Sequence, residues 1–316
     1  MKYNFHTDLA IETREEYQRI NQSDIPGIDV DNETVDDVKI TRVKVTSDEG
    51  AEAIGKAKGN YITLEVSKIS EDEPDINDNI SKIVAREIRR LIGNDINQSV
   101  LVVGLGNFNV TPDALGPKVI SYLDVTRHII EFAPEYIKEP IRSVSAISPG
   151  VLGTTGIETG DIIKGVVEKT RPNLVIAIDA LASRRLERIS NTIQIADTGI
   201  NPGSGVGNKR MGLSQETLGV PVIAIGVPTV VDAATMANDT IELMVENLQN
   251  SSSQDSSIYD NINHMGDEEK YNLVQKVLSP YVGNLVVTPK EIDAIIGTVS
   301  EVVANGINYA LHSEEI

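Results

Sequence analysis

Two aspartates stand where an acidic side chain needs an explanation. Asp113 follows the apolar run VLVVGL at residues 100–105 and the loop GNFNVTP, and it heads DALGPKVISYL, whose apolar spacing predicts a helix. Asp179 directly ends a second continuous apolar run, LVIAI at 174–178. Such runs read as buried strands of a parallel sheet, and in open α/β sheets ligands bind in the crevice outside the carboxyl ends of those strands. An acid at the end of a buried strand is costly unless it is exposed or paired. If the two strands are neighbours, Asp113 and Asp179 face one site, and two carboxyls together supply a general base and a general acid. The competing account of Asp113 is a helix N-cap, worth about 0.5 to 2 kcal/mol.

Other constellations are incomplete. Gly104 and Gly106 begin a dinucleotide-binding pattern, but position 109, where its third glycine belongs, is Asn109. Ser204 lacks the nucleophile elbow GxSxG, because position 202 is Pro202. The histidines His6, His128, His264 and His312 are scattered without a zinc-ligand spacing. Asp197 opens a DTG triplet like that of all-β aspartic proteases, in a chain that reads as α/β; it is held as a supporting residue near the same crevice.

The elements that must position these residues follow from the pattern around them. Period-two alternation predicts half-exposed strands over 38–46 and 60–68, antiparallel partners at one edge of the sheet, with a short helix between them closed by Gly59. Residues 24–37 are polar, acidic and rich in turn formers, and read as a loop. An amphipathic helix is expected over 79–91. From Val100 onward strands at 143–147, 174–178, 192–195, 222–227 and 284–287 alternate with helices at 157–169, 231–248, 267–278 and 289–312. That alternation predicts a three-layer α/β/α sandwich around a mostly parallel sheet, in one domain. The glycine-rich stretch 199–213 reads as a functional loop after a core strand, and 251–266 as a surface insertion without chemistry.

Composition narrows the function. At 316 residues the chain can bury a large core without staples. It has no Cys, which excludes disulfides, thiolate metal sites and a cysteine nucleophile, and fits a reducing compartment. The first residues lack an apolar signal segment and no apolar run approaches the ~20 residues that span a bilayer, so a soluble cytosolic protein with no membrane partner is expected. The formal net charge is −19, from 47 acidic and 28 basic residues, which argues against a phosphate-binding surface.

The motifs GLGNFNVTPDALGP, TRHI, SAISPGVLGTTGIET, VIAIDALASR, ADTGINPGSGVGNKR and VIAIGVPTVVDA, in this order, resemble the germination proteases of spore-forming bacteria. The resemblance runs from about Thr7 to about His312. It implies an endopeptidase of the forespore or spore core that starts the breakdown of small acid-soluble, DNA-coating spore proteins. It further implies a fold like that of hydrogenase-maturation peptidases, a homotetramer, and Asp113 and Asp179 as the two catalytic aspartates. Hydrolysis without Ser, Cys or metal needs a carboxylate that activates water and an acid that polarises the carbonyl, so neither cofactor nor metal is expected. The family is made as a precursor that trims its own N-terminus at an acid–hydrophobic–Ala pattern. His6-Thr7-Asp8-Leu9-Ala10-Ile11-Glu12 carries that pattern, which gives a propeptide of residues 1–8, a cut between Asp8 and Leu9, and a domain of 9–316. Two alternatives stay open here: a metal-dependent peptidase related to hydrogenase maturation, and a non-catalytic nucleotide-binding α/β module in which the acids are caps.

The charge gives a first testable expectation. In a gel shift at physiological salt the protein should leave duplex DNA unshifted, and tight binding that weakens steeply with salt would contradict this.

Overall fold

The computed structural model describes residues 7–21, 25–67, 69–138, 140–202, 211–237, 240, 276 and 285–313. Its strands form one nine-stranded sheet. The strands are β1 (Ile28–Val35), β2 (Val38–Val45), β3 (Gly59–Glu65), β4 (Val100–Gly104), β5 (Val144–Ile147), β6 (Leu174–Ser183), β7 (Thr192–Ala196), β8 (Val222–Asp232) and β9 (Val286–Val287). They are ordered β1-β2-β3-β7-β8-β6-β4-β5, with β9 against β8. The half built from β5, β4, β6 and β8 is parallel, as expected, while β7, β3, β2, β1 and β9 pair antiparallel.

Alternation along each strand sends side chains to opposite faces, and each face has its own helices. Val100 and Val102 of β4 pack with α3 (Pro74–Ile92), α4 (Leu115–Ser121) and α9 (Ile292–His312). Leu101 and Val103 pack with Ile163 and Val167 of α7 (Thr159–Thr170) and with Leu218 of α8 (Gln215–Leu218). On that second face, β2 and β3 are covered by α1 (Ala10–Asn21) and α2 (Asp48–Ile54). Both sheet faces are therefore dry, which is why the central strands carry unbroken apolar runs. Between β4 and β5 lies α5 (Arg127–Phe132), and the turn α6 (Leu152–Thr155) precedes α7.

Several expectations are corrected. The segment 24–37 is not a loop throughout, since Ile28–Val35 pairs with β2 along its whole length. Its sequence, IDVDNETV, hides the strand because an edge strand with no fully buried residue needs few apolar positions. The hairpin closes through Asp36 (φ 46°) and Asp37 (φ 64°), both left-handed as a two-residue turn of this twist requires. The helix over 48–54 is closed by Gly55 at φ 65°, not by Gly59, which begins β3. Residues 231 and 232, expected to begin a helix, extend β8, and helix covers 233–237. The strand expected over 284–287 is reduced to Val286–Val287. The insertion 251–266 lies outside the described residues, as does the helix 267–278 apart from residue 276.

The antiparallel edge is fastened to α3 by a buried carboxylate and by the pair of Arg86 with Glu33 of β1. Glu87 is fully buried and accepts from Arg42 Nε at 2.8 Å, Arg42 Nη2 at 2.7 Å and Arg86 Nε at 3.0 Å. Burial would raise its pKa, but the hydrogen bonds from Arg42 and the charges of Arg42, Arg90 and Arg86 overrule this and hold it below the usual glutamate value. A group with a depressed folded pKa stabilises above its unfolded value and loses that contribution as pH falls. Glu87→Gln should therefore cost about 3 kcal/mol in urea unfolding at neutral pH. The difference from wild type should shrink as pH drops below the ordinary value of 4.5.

Candidate active site

The connections out of β4 and into β6 create the site. From β4 the chain passes through α4, on the first face, to β5 on one side; from β5 it returns through α7, on the other face, to β6 on the opposite side of β4. Strand order reverses at this point, and the loops diverge and leave a crevice at the carboxyl ends. A cavity of about 280 Å³ occupies it, and both Asp113 and Asp179 line it. Apolar walls come from Leu105, Val110, Val151, Leu181, Val230 and Val286.

Asp113 is not an N-cap. It ends a short 3-10 turn, Thr111–Asp113, and α4 begins two residues later without a side-chain cap. Its Oδ2 instead accepts from the Asn107 backbone N–H at 2.8 Å, and that same N–H reaches the Asp113 carbonyl at 3.0 Å. The loop after β4 thus folds back to hold the carboxyl from both ends of the residue. This return needs Gly106: its φ is +113°, and a Cβ there would collide with the Asp113 carbonyl oxygen. Thr111 Oγ1 donates to Asp293 Oδ1 at 2.8 Å, tying the turn to the first turn of α9.

Asp179 does not terminate its strand. β6 continues through Ser183, paired with β8 over 175–183, whereas β4 pairs only through Ile178. The side chain is 5% exposed, and its Oδ1 accepts from the Ala180 N–H at 2.9 Å. The structure therefore brings Asp113 and Asp179 to one cavity.

Asp197 is placed elsewhere. Its two oxygens accept from the Asn60 N–H at 2.7 Å and from Asn60 Nδ2 at 2.6 Å, at the start of β3, and it does not line the cavity. Because β7 runs antiparallel to β8, Asp197 leaves the sheet toward the amino-terminal ends of the parallel strands. Of the loop 199–213, residues 203–210 lie outside the described residues; its ends are joined by an Ile200–Leu213 bridge, and Pro202 lines the cavity. Among the described residues no three His, Asp or Glu side chains gather in a metal-binding group. No described helix is long and apolar enough to cross a membrane.

The residues around Asp8 and Leu9 form a second constellation. Leu9 is completely buried and packs with Ile11 and Leu181. The Asp8 N–H donates to Ala182 O at 3.0 Å and the Ala182 N–H donates to Asp8 Oδ2 at 2.9 Å. The Asp8 carbonyl accepts from Lys56 Nζ at 2.8 Å and from Gln194 Nε2 at 3.3 Å. Burial pushes the Lys56 ammonium pKa down against Asp8 and Glu12, whose charges favour the protonated form. Sequence reasoning did not find Lys56 or Gln194, nor Thr111 with Asp293: each pair joins positions far apart in the chain, and no local spacing signals them.

The family model for germination proteases matches residues 6–260 and 246–315. The chain belongs to the germination protease family. Relatives support this across nearly the whole length. The germination protease of Caldanaerobacter subterraneus subsp. tengcongensis is 55% identical over 305 residues, 96% of this chain and 93% of that protein. That of Clostridium acetobutylicum is 53% identical over 308 residues, 96% and 94% of the two chains. That of a Geobacillus strain is 45% identical over 353 residues, 99% and 95%. Among solved structures, the [NiFe] hydrogenase maturation protease HycI from Thermococcus kodakarensis KOD1 is 21% identical with a TM-score of 0.30, covering 45% of this chain and 80% of that one. Membership in the family makes the chain a peptidase with a role in spore germination. The resemblance read from the motifs is thereby confirmed.

The Gly106 geometry yields a prediction for this peptidase. Gly106→Ala should displace the Asp113 turn, and since a misplacement of about 1 Å can cost ~10²-fold, peptide cleavage should fall about 100-fold with the circular dichroism spectrum unchanged.

Proposed function

We propose that the chain is an aspartic-type endopeptidase in which Asp113 and Asp179 act together on one water molecule and one peptide carbonyl. The observation that carries this reading is that two carboxyls, one from within β6 and one from the turn after β4, line the same cavity in a member of a peptidase family. One carboxylate removes a proton from water as it attacks the carbonyl carbon, while the other, protonated, hydrogen-bonds the carbonyl oxygen and then supplies a proton to the leaving nitrogen. The apolar walls exclude bulk water and strengthen both interactions. The reaction needs no cofactor, and retention of activity in a chelator would separate it from a metal-assisted peptidase.

The proposal extends to the biology that the family resemblance implies. The substrates are small acid-soluble spore proteins, cut in the forespore or spore core after they leave DNA. The enzyme assembles as a homotetramer and binds no nucleic acid itself, in keeping with its net charge of −19. It is made as a zymogen that removes residues 1–8 by cutting between Asp8 and Leu9.

Asp113→Asn and Asp179→Asn should each lower peptide cleavage by at least ~10³-fold while circular dichroism stays unchanged, and Asp197→Asn should be much milder. Mass spectrometry after mildly acidic incubation should find a new N-terminus at Leu9 in the wild type and not in Asp113→Asn. Full activity in either of the first two variants would overturn the assignment of the pair. Identical intact masses in wild type and Asp113→Asn would remove the self-processing step.

A further inference from the structure

The part of β6 that outruns β4 has an open edge. Ile178 turns its carbonyl toward β4, where the Leu105 N–H donates to it at 2.8 Å. Backbone groups alternate sides along a strand, so those of Ala180 point the same way as those of Ile178, away from β8, and the register with β8 then shifts between Leu181 and Ala182. Beyond Ile178, however, no strand lies on that side among the described residues, because β4 has ended. The approximately 280 Å³ cavity lies against Ala180, Leu181 and Ala182, with Asp179 immediately before them and Asp113 also on its wall. Two alanines on this edge leave room for the side chains of an added strand. One segment already uses it: Asp8 exchanges a main-chain and a side-chain hydrogen bond with Ala182, and Lys56 and Gln194 hold the Asp8 carbonyl from the far side.

We propose that the open edge of β6, from Asp179 to Ser183, receives a peptide as an added strand, and that residues 7 and 8 hold this edge in cis. The inference rests on the peptidase reading above and names how its substrate is held. Strand addition draws affinity from main-chain hydrogen bonds, whatever the peptide sequence. It carries the peptide backbone past Asp179 and in front of Asp113, and offers alternate side chains to the apolar walls at Val110, Val151 and Val230. In the observed state the Asp8 carbonyl is turned to Lys56 and Gln194, which do not line the cavity of the two aspartates. Thr7 and Asp8 line a neighbouring pocket with Lys56 and Gln194, and Asp8 meets this edge at Ala182, so the segment competes with an incoming peptide for Ala182 without presenting its own carbonyl to Asp113 and Asp179.

Hydrogen exchange on the full-length Asp113→Asn protein tests this, with a synthetic peptide of the sequence of residues 4–12 as the probe. Added peptide should slow exchange at residues 180–183. Asp8→Ala in the same background should speed exchange there when no peptide is present. Both Asp8→Ala and Lys56→Met should tighten peptide binding about tenfold, since each removes a hydrogen bond of the cis segment. Unchanged exchange at 180–183 up to millimolar peptide overturns the inference. If the wild type cleaves that same peptide, the peptidase reading stands while the strand-addition inference falls. Protection at 180–183 together with no cleavage by the wild type supports the edge and removes the catalytic pair instead.

Discussion

The site depends on two neighbouring parallel strands ending at different heights. β4 stops at Gly104 and β6 continues to Ser183, supported on its other side by β8. The stagger is what allows an aspartate to sit inside a strand and still meet a cavity. Were β4 as long as β6, the edge beyond Ile178 would be covered and the cavity beside Ala180 and Ala182 would be filled by that strand. Because β4 ends early, the chain has to turn sharply at its carboxyl end, and that turn, through Gly106 and the 3-10 segment to Asp113, delivers the second carboxyl. One difference in strand length thus produces both the crevice and the convergence of the acids on it.

Legibility in the sequence followed burial. Strands covered on both faces, such as β4 and the first half of β6, appear as unbroken apolar runs and were placed within a residue or two. Asp113 and Asp179 were legible for the same reason, as polar residues that interrupt or follow such runs. The end of β6 was misplaced because Asp179 reads locally as a stop, whereas the strand continues through ALAS on the strength of pairing with β8, a partner some fifty residues away in sequence. β1 is hidden for the opposite reason: as an edge strand it leaves every side chain at least partly exposed, so its composition is that of a loop. The three-residue motif at Asp197 points toward the crevice, whereas the antiparallel direction of β7 places the side chain at Asn60.

The N-terminal helix is bound to the same strand that carries Asp179. Glu12 is 2% exposed and accepts from the Arg184 N–H at 2.7 Å and the Arg185 N–H at 3.1 Å, and it lies 3.3 Å from Arg188 Nη1. Arg188, 3% exposed, also pairs with Glu15 at 2.8 Å and Glu65 at 3.2 Å, and Arg184 pairs with Glu16. Carboxylates so enclosed are tolerated because every charge faces an opposite one, and removing one partner would leave an uncompensated buried ion. The cluster therefore specifies where α1 docks more than it adds net stability.

That docking sets what a cut between Asp8 and Leu9 can change. Every carboxylate of the cluster contributed by α1 lies at Glu12 or beyond, and the apolar contact of Leu9 and Ile11 with Leu181 also lies after the bond. The ion pairs that grip the segment following β6 are consequently all made by residues after the bond. Of the described residues before that bond, Asp8 contributes hydrogen bonds with Ala182, Lys56 and Gln194, and the Thr7 hydroxyl donates to Glu12 and accepts from the Leu9 N–H. Losing the bonds of Asp8 would expose the Ala182 backbone and free Lys56 from the Asp8 carbonyl. The fold thus separates what positions the carboxyls, which is buried and charge-locked, from what covers the edge beside them, which is held by a few hydrogen bonds.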